Sequence, residues 1–508
     1  MSRLPGKISY LATVAALFLS ACASIQPTPI SEETQLGQGK IDLASAQKDV
    51  EPIVGELTIE AALARALKYN LDRRAKLMDE ALALKQLDVT HYDMLPKLLA
   101  QAGYTSRDND KITLSRNPDG TINNSRVTSQ DRAHTLGSLG FSWSLLDLGV
   151  GYYGTLQQAD RVVIAAEKRR KAMHLLMQDT RSAFWRTYSA QKLRGEVQNT
   201  IKLAEEALAD SRKSESERLR NPIDALRYQR QILENLRLLE TVDAELSSAK
   251  IELVAMINAP LNQDMKLAPP RENLTKLPLE ISAEILEETA MVSNPDILEH
   301  HYNARIAREE TRKTLVRLFP NLTFNYNASY DTDSYQVNSD WREAGVQLSF
   351  NLFNLMTGPT QMKLAEAGVA LADQRRIAAQ MAVLTQVHLA RQAYANALQQ
   401  YDRADAIWKT DAKIAEHMKN REAAQAQSKL DVVANQTTAI LSLLRRFQAL
   451  SQAEAAEARL QATIGVEPAI GSVFETSLSD LARDLDNTRS VWTTVRSRAR
   501  TPSAGTAR

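Results

Sequence analysis

The chain has 508 residues, with 62 Lys and Arg against 61 Asp and Glu, a net charge of +1. That balance provides no global field for nucleic acid or for an acidic substrate. Only 18 Gly and 16 Pro occur, and the middle of the chain is rich in Ala, Leu, Gln, Arg and Glu, which is the composition of long helices with extended contact seams.

The N-terminus reads as an export signal. Arg3 and Lys7 form a basic region, Ile8 to Leu19 an apolar run too short to span a bilayer, and Leu19-Ser20-Ala21-Cys22 a small-residue ending. That ending resembles a bacterial lipobox, in which Cys22 is lipidated and becomes the first mature residue; the alternative is an ordinary buried cysteine. Ala23 in place of Asp implies sorting to the outer membrane. Cys22 is the only cysteine in the chain, so no internal disulfide is expected. Residues 22–56 read as a lipid anchor and polar tether. Beyond the signal no segment offers the roughly 20 consecutive apolar residues of a membrane helix. A membrane-crossing part must therefore be built of strands closed into a barrel.

A helix is predicted from the cap Thr58 towards Leu95, with Ala62, Leu63, Ala66 and Leu67 at helical spacing and Pro96 as its stop. Strands are predicted at about 98–106 and 135–146, where Leu139, Phe141, Trp143 and Leu145 alternate with Ser138, Gly140, Ser142 and Ser144. The segment between them reads as a long polar loop with a turn at Asn117-Pro118-Asp119-Gly120. Long helices follow at about 153–220 and 222–258. The first would reach ~100 Å, far beyond what a globular domain needs. The second carries a heptad seam, with Ala225, Ile232, Leu239, Leu246 and Leu253 in one position and Tyr228, Asn235, Val242, Ala249 and Met256 in the other.

The pattern then repeats. Asn70-Leu71-Asp72 and Pro96 recur 224 positions on as Asn294-Pro295-Asp296 and Pro320, and Ile223-Asp224-Ala225 recurs 207 positions on as Leu430-Asp431-Val432. Strands are predicted at about 322–330 and 345–353, with Leu322, Phe324, Tyr326 and Ala328, then Val346, Leu348 and Phe350, on the apolar side. Long helices return at about 360–427 and 429–464. The organisation is thus a signal at 1–21, the tether at 22–56, repeats at 57–270 and 280–470, and a flexible tail at 471–508.

The polar face of each strand is small and uncharged, where a soluble sheet would show Lys and Glu. Leu139, Phe141, Trp143, Phe324, Tyr326, Leu348 and Phe350 are therefore expected to face lipid, and Ser142, Asn325, Asn327 and Gln347 water. Four strands are too few to close a barrel, so several copies must build it. A soluble sheet on a lipid-anchored periplasmic coiled-coil scaffold without a channel is the alternative. At the helix turns Asn221 and Ser428 can cap, Pro222 fits the first helical position, and Asp224 and Asp431 follow three residues after each cap. Those carboxylates serve the helix starts; projecting far from the strands, they are also candidates for a gate at a tunnel entrance. There is no Gly-rich phosphate loop and no supported Ser-His-Asp set. Adjacent His300 and His301 point apart on a helix and make a poor metal site. No enzymatic activity, cofactor, metal site or nucleic-acid partner is expected.

With the duplicated strand pairs, Trp143-Ser144-Leu145-Leu146-Asp147 matched by Phe350-Asn351-Leu352-Phe353-Asn354, and Asp224 and Asp431 at the turns, the chain resembles the TolC-like outer-membrane efflux proteins over about residues 57–470. The resemblance implies a mainly α fold with a β membrane part: a homotrimer whose 12-stranded outer-membrane barrel continues into a periplasmic α-helical barrel. It implies a passive exit duct for efflux or type I secretion, docked on an inner-membrane pump and a periplasmic adaptor. The chain departs from the family pattern where Asn221-Pro222 and Ala426-Gln427 replace a glycine before each aspartate, and after Cys22, where a Pro-Asp-Tyr-like start is missing.

Overall fold

The computed structural model describes residues 29–116, 119–217, 222–260, 265–270, 274–423, 429–467, 473, 475–486 and 489–498. The chain divides after Glu51 into two compact units. The first holds helix α1 (Glu32–Gln47), capped by Ser31, whose hydroxyl accepts the Thr34 amide at 3.3 Å. It buries no side chain, so the tether segment has a local helix but no apolar face.

In the second unit β1 (Glu56–Leu57), paired in parallel with β6 (Lys266–Leu267), leads to α2 (Ile59–Tyr69), started by Thr58, whose hydroxyl accepts the Ala61 amide at 3.2 Å. The single helix expected from Thr58 to Leu95 is broken at Asn70. Asn70 ends α2 and caps α3 (Leu71–Thr90): its Oδ1 accepts the Arg73 amide at 3.0 Å while Nδ2 donates to the Met256 carbonyl at 3.2 Å. An Asn side chain competes with the helix for backbone hydrogen bonds, which is why the break falls there. The repeat reproduces the device. After the one-turn helix α6 (Leu277–Glu280), Asn294 separates α7 (Ala283–Ser293) from α8 (Pro295–Arg317), accepting the Asp296 and Ile297 amides at 2.8 and 3.1 Å and donating to the Thr463 carbonyl at 2.7 Å.

Each capped helix runs into a strand pair. β2 (Lys97–Ser106), β5 (Ala133–Ser144), β7 (Asn321–Asp331) and β8 (Asp340–Ser349) form one antiparallel sheet in the order β2-β5-β7-β8. The predicted polar loop between β2 and β5 is itself a hairpin, β3 (Ile112–Arg116) and β4 (Ile122–Thr128), paired only with each other. It continues the β2–β5 ribbon: Arg107 and Ser129 amides donate to the Arg132 and Lys111 carbonyls across the bend.

β5 passes without a loop into α4 (Leu145–Ser216), 72 residues long, and β8 leads through the short turn at 350–353 into α9 (Asn354–Ala423), 70 residues long. At 1.5 Å per residue each reaches over ~100 Å. Ser144 makes the first transition, accepting the Asp147 amide at 3.0 Å. α5 (Pro222–Met256) and α10 (Lys429–Ile464) return along them. Ala225, Ile232, Leu239, Leu246 and Leu253 of α5 are all buried, as a coiled-coil seam requires. After α10, Gly465 takes φ +69°, and a Cβ there would sit 2.2 Å from the Ser293 carbonyl, so only glycine fits against the α7–α8 junction.

The C-terminal segment read as a flexible tail packs into the core. α11 (Leu478–Asp486) buries Leu481 and Leu485 against Leu63, Leu67, Met173 and Met177. α12 (Arg489–Arg498) buries Trp492 and Val495 against Leu286, Ile297, Val387 and Leu460. Their apolar residues, spaced i, i+4 in α11 and i, i+3 in α12, cover faces that α2 and α7 would otherwise expose to water.

Candidate functional site

The register of the sheet decides which side chains share a face, because residues directly opposite in an antiparallel pair point the same way. Leu98, Phe141, Tyr326 and Ala344 form one continuous row across all four strands. Trp143, Phe324 and Val346 form the next row, and Leu322 with Leu348 another. On the opposite face lie Lys97, Ser142, Asn325 and Gly345, with Ser144, Thr323 and Gln347. Leu139, Phe141, Phe324, Tyr326 and Leu348 are exposed to the outside of the chain, Leu348 by 69%. Trp143 and Phe350 are half-buried, and Phe350 lies just beyond the end of β8. The structure therefore gathers the alternating residues into one apolar and one polar surface, with no core behind the apolar one.

The end of the sheet remote from the long helices is tied by a network that pattern reading missed. His134 Nδ1 donates to Asp331 at 2.7 Å, and Gln130 donates to His134 Nε2 at 3.0 Å. Asp131 accepts the Ser334 amide at 2.6 Å, the Asp131 amide donates to Asp333 at 2.9 Å, and Arg132 holds Asp110 at 2.6 Å. At the other end Lys97 meets Asp147 at 3.0 Å and Ser144 donates to Asn321 at 2.9 Å. The loops and the strand–helix junctions are thus fixed by side chains with no periodicity of their own.

The helices continue the order of the sheet. Near the strands α3 packs on α4, α4 on α8 and α8 on α9; farther away α5 packs on α4, α4 on α10 and α10 on α9. Midway a belt is pinned by two tryptophans: Trp185 Nε1 donates to Glu454 at 2.7 Å and Trp492 Nε1 to Glu457 at 2.9 Å. Burial pushes Glu454 up to about 7, against the opposing pull of Arg181 and the Trp185 hydrogen bond, with Glu457 and Glu60 adding to the rise.

The first turns of α5 and α10 lie side by side. Leu430 and Val433 of α10 share a cluster with Ile232 and Leu236 of α5, which places Asp224 and Asp431 in the first turns of neighbouring helices. Asp224 is exposed and Asp431 half-buried, and Pro222 starts α5. Asn221 and Ser428, and with them both caps, lie outside the described residues, as does Cys22. Among the described residues no group of three or more His, Cys, Asp or Glu could hold a metal, and no helix is long and apolar enough to cross a membrane.

No family model matches the chain, and no curated protein does. Solved structures do. The outer-membrane channel CmeC of Campylobacter jejuni aligns with TM-score 0.62 at 14% identity, over 85% of this chain and 90% of that one. CusC aligns at 0.61 and 15% identity, over 82% and 95%, and the MtrE outer-membrane channel of Neisseria gonorrhoeae at 0.60 and 15%, over 82% and 94%. The duplicated strand pairs, the row of long helices and these alignments together give the chain the fold of the TolC-like outer-membrane efflux channels.

Proposed function

We propose that this chain is the protomer of a passive outer-membrane exit duct, a homotrimer whose 12 strands close a barrel in the membrane and whose helices continue it into the periplasm. One observation carries the reading. Among the described residues, sheet and helices form open rows, with β2, α3 and α5 free at one edge and β8 and α9 at the other. Unpaired strand edges invite another chain. The edge helices carry apolar stripes that no described residue covers: Leu71, Met78, Leu82 and Val89 on α3, and Leu364, Leu371 and Met381 on α9. Spacings of seven and four along α3 suit a coiled-coil seam. The two edges differ, so copies join head to tail, and such contacts form a ring when the rotation closes.

In this reading Cys22 carries the lipid, and the apolar rows containing Leu139, Phe141, Trp143, Phe324, Tyr326 and Leu348 face the bilayer. The turns at Asp224 and Asp431 form the periplasmic entrance, where an adaptor and an inner-membrane pump of an efflux or type I secretion system dock. The duct has no energy source of its own, so the pump drives transport and chooses the cargo. Glu in place of Leu82 or Leu371 is expected to prevent assembly while leaving the protomer folded, read by size-exclusion with light scattering in detergent. Unchanged assembly in both variants would overturn the edge-to-edge closure.

A further inference from the structure

The outward apolar face of the sheet carries one basic residue, Arg342. It lies opposite Ala328, and the row continues through Leu139 and Ala100. The next row towards the loops holds Asp340, Tyr330, Gly137 and Ala102, and beyond it Tyr104 lies opposite Thr135. Tyr104 and Tyr330 are 71% and 54% exposed. Arg342 is exposed, and its side chain makes no hydrogen bond or ion pair among the described residues.

On a lipid-facing surface this is an unusual place for a charge. An Arg is costly at the middle of the bilayer and far less so near the interface. Outward tyrosines mark interface level, and Arg342 lies one row, or about 7 Å along the strand, inside Tyr330. Its aliphatic stem can lie on the small residues around it and carry the guanidinium out to the headgroups. A neighbouring copy would not neutralise it. The β2 edge that meets β8 on closure offers Leu98, Ala100, Ala102 and Tyr104 on that face, with no carboxylate among them.

We propose that Arg342 is a binding site for the phosphate of a lipid headgroup in the leaflet at the loop end of the barrel. The proposal rests on the membrane-barrel reading above. A planar guanidinium donates two parallel hydrogen bonds to a phosphate, which an ammonium cannot. The acyl chains of the same lipid then lie over Ala100, Leu139 and Ala328. Asp340 on the same face opposes the anion, so Asp340→Asn strengthens retention.

Native mass spectrometry of the detergent-extracted full-length assembly, incubated with dioleoyl phosphatidylglycerol, tests the site. Arg342→Gln is expected to lower phosphatidylglycerol retention about five- to tenfold, with Arg342→Lys in between. Dioleoylglycerol, which has the same chains and no phosphate, is retained equally by all variants. Equal phosphatidylglycerol retention in wild type and Arg342→Gln overturns the proposal. So does displacement of the lipid by an equal concentration of glycerol phosphate, which makes dissolved phosphate the ligand. Phe141→Cys in the same preparation keeps the two readings apart. Protection from water-soluble maleimide with no Arg342 effect removes the phosphate site alone, whereas labelling as free as at Ser142→Cys removes the barrel and the site together.

Discussion

Replacing Asn294 with Ala should open the junction at which α7, α8 and the end of α10 meet. Its side chain is buried and makes three hydrogen bonds, to the Asp296 and Ile297 amides and to the Thr463 carbonyl. Loss of the N-cap costs about 1 kcal/mol. The Thr463 carbonyl sits one residue from the end of α10, where no helical amide follows to satisfy it. Leaving that buried acceptor unpaired adds about 1–3 kcal/mol. The sum, about 2–4 kcal/mol, corresponds to a ~30- to ~900-fold faster local opening. Hydrogen–deuterium exchange of the amides at 296–298 and 463–466, measured on the extracted protein, reads this directly. Asn294→Asp keeps both caps but sets a carboxylate against the Thr463 carbonyl, so it should open the α10 end and spare the start of α8. Asn70→Ala, in a half-buried and otherwise parallel setting, should have a smaller effect of the same kind. Exchange at both segments unchanged by Asn294→Ala would refute the assigned role of the repeated asparagines.

Arg at Phe141 or Leu348 should impair assembly by up to ~2–4 kcal/mol for each copy, whereas Arg at Ser142 or Gln347 should be tolerated; the assembled fraction resistant to mild SDS measures this, and equal loss in both sets contradicts the two-faced sheet. Asn in place of Asp224 and Asp431 should change the resting conductance and cation preference in planar bilayers, and no change at either site would leave these residues as helix-start carboxylates only. Glu454, raised above its unfolded value by burial, holds its proton more tightly in the folded state, so its stabilising contribution is full below about 4.5 and is lost as pH rises through about 7. The melting temperature should therefore fall over that interval, and Glu454→Gln should flatten the fall; identical pH profiles for the two proteins would exclude it. Mass spectrometry of the membrane-extracted chain should show an acylated Cys22 at its N-terminus, and an intact Met1 would exclude lipidation.

The fold class was legible in the sequence because two signals do not depend on tertiary context. Period-two alternation assigned Leu139, Phe141, Phe324, Tyr326 and Leu348 to one side of the strands, and the register puts them there. The seam from Ala225 to Leu253 likewise stood out because it holds one face over the whole of α5. What escaped reading lacks such regularity. The helical period runs straight through Asn70, so its break depends on a carbonyl, that of Met256, far away in sequence. The β3–β4 hairpin mixes polar and apolar residues and is anchored by Arg132 and Asp110 rather than by a core. Leu481, Leu485, Trp492 and Val495 are too few among charged neighbours to stand out until the faces they cover are known. The turn carboxylates carry capping spacing that suffices without a gate, so sequence alone leaves both roles for Asp224 and Asp431.

The proposed duct requires copies of this chain to close edge to edge within a membrane. Native mass spectrometry of the full-length protein extracted in detergent, paired with conductance of the same sample in planar bilayers, puts that closure to the test. An assembly of three chains that conducts ions is expected. A single chain that stays soluble after detergent removal and carries no current would contradict it.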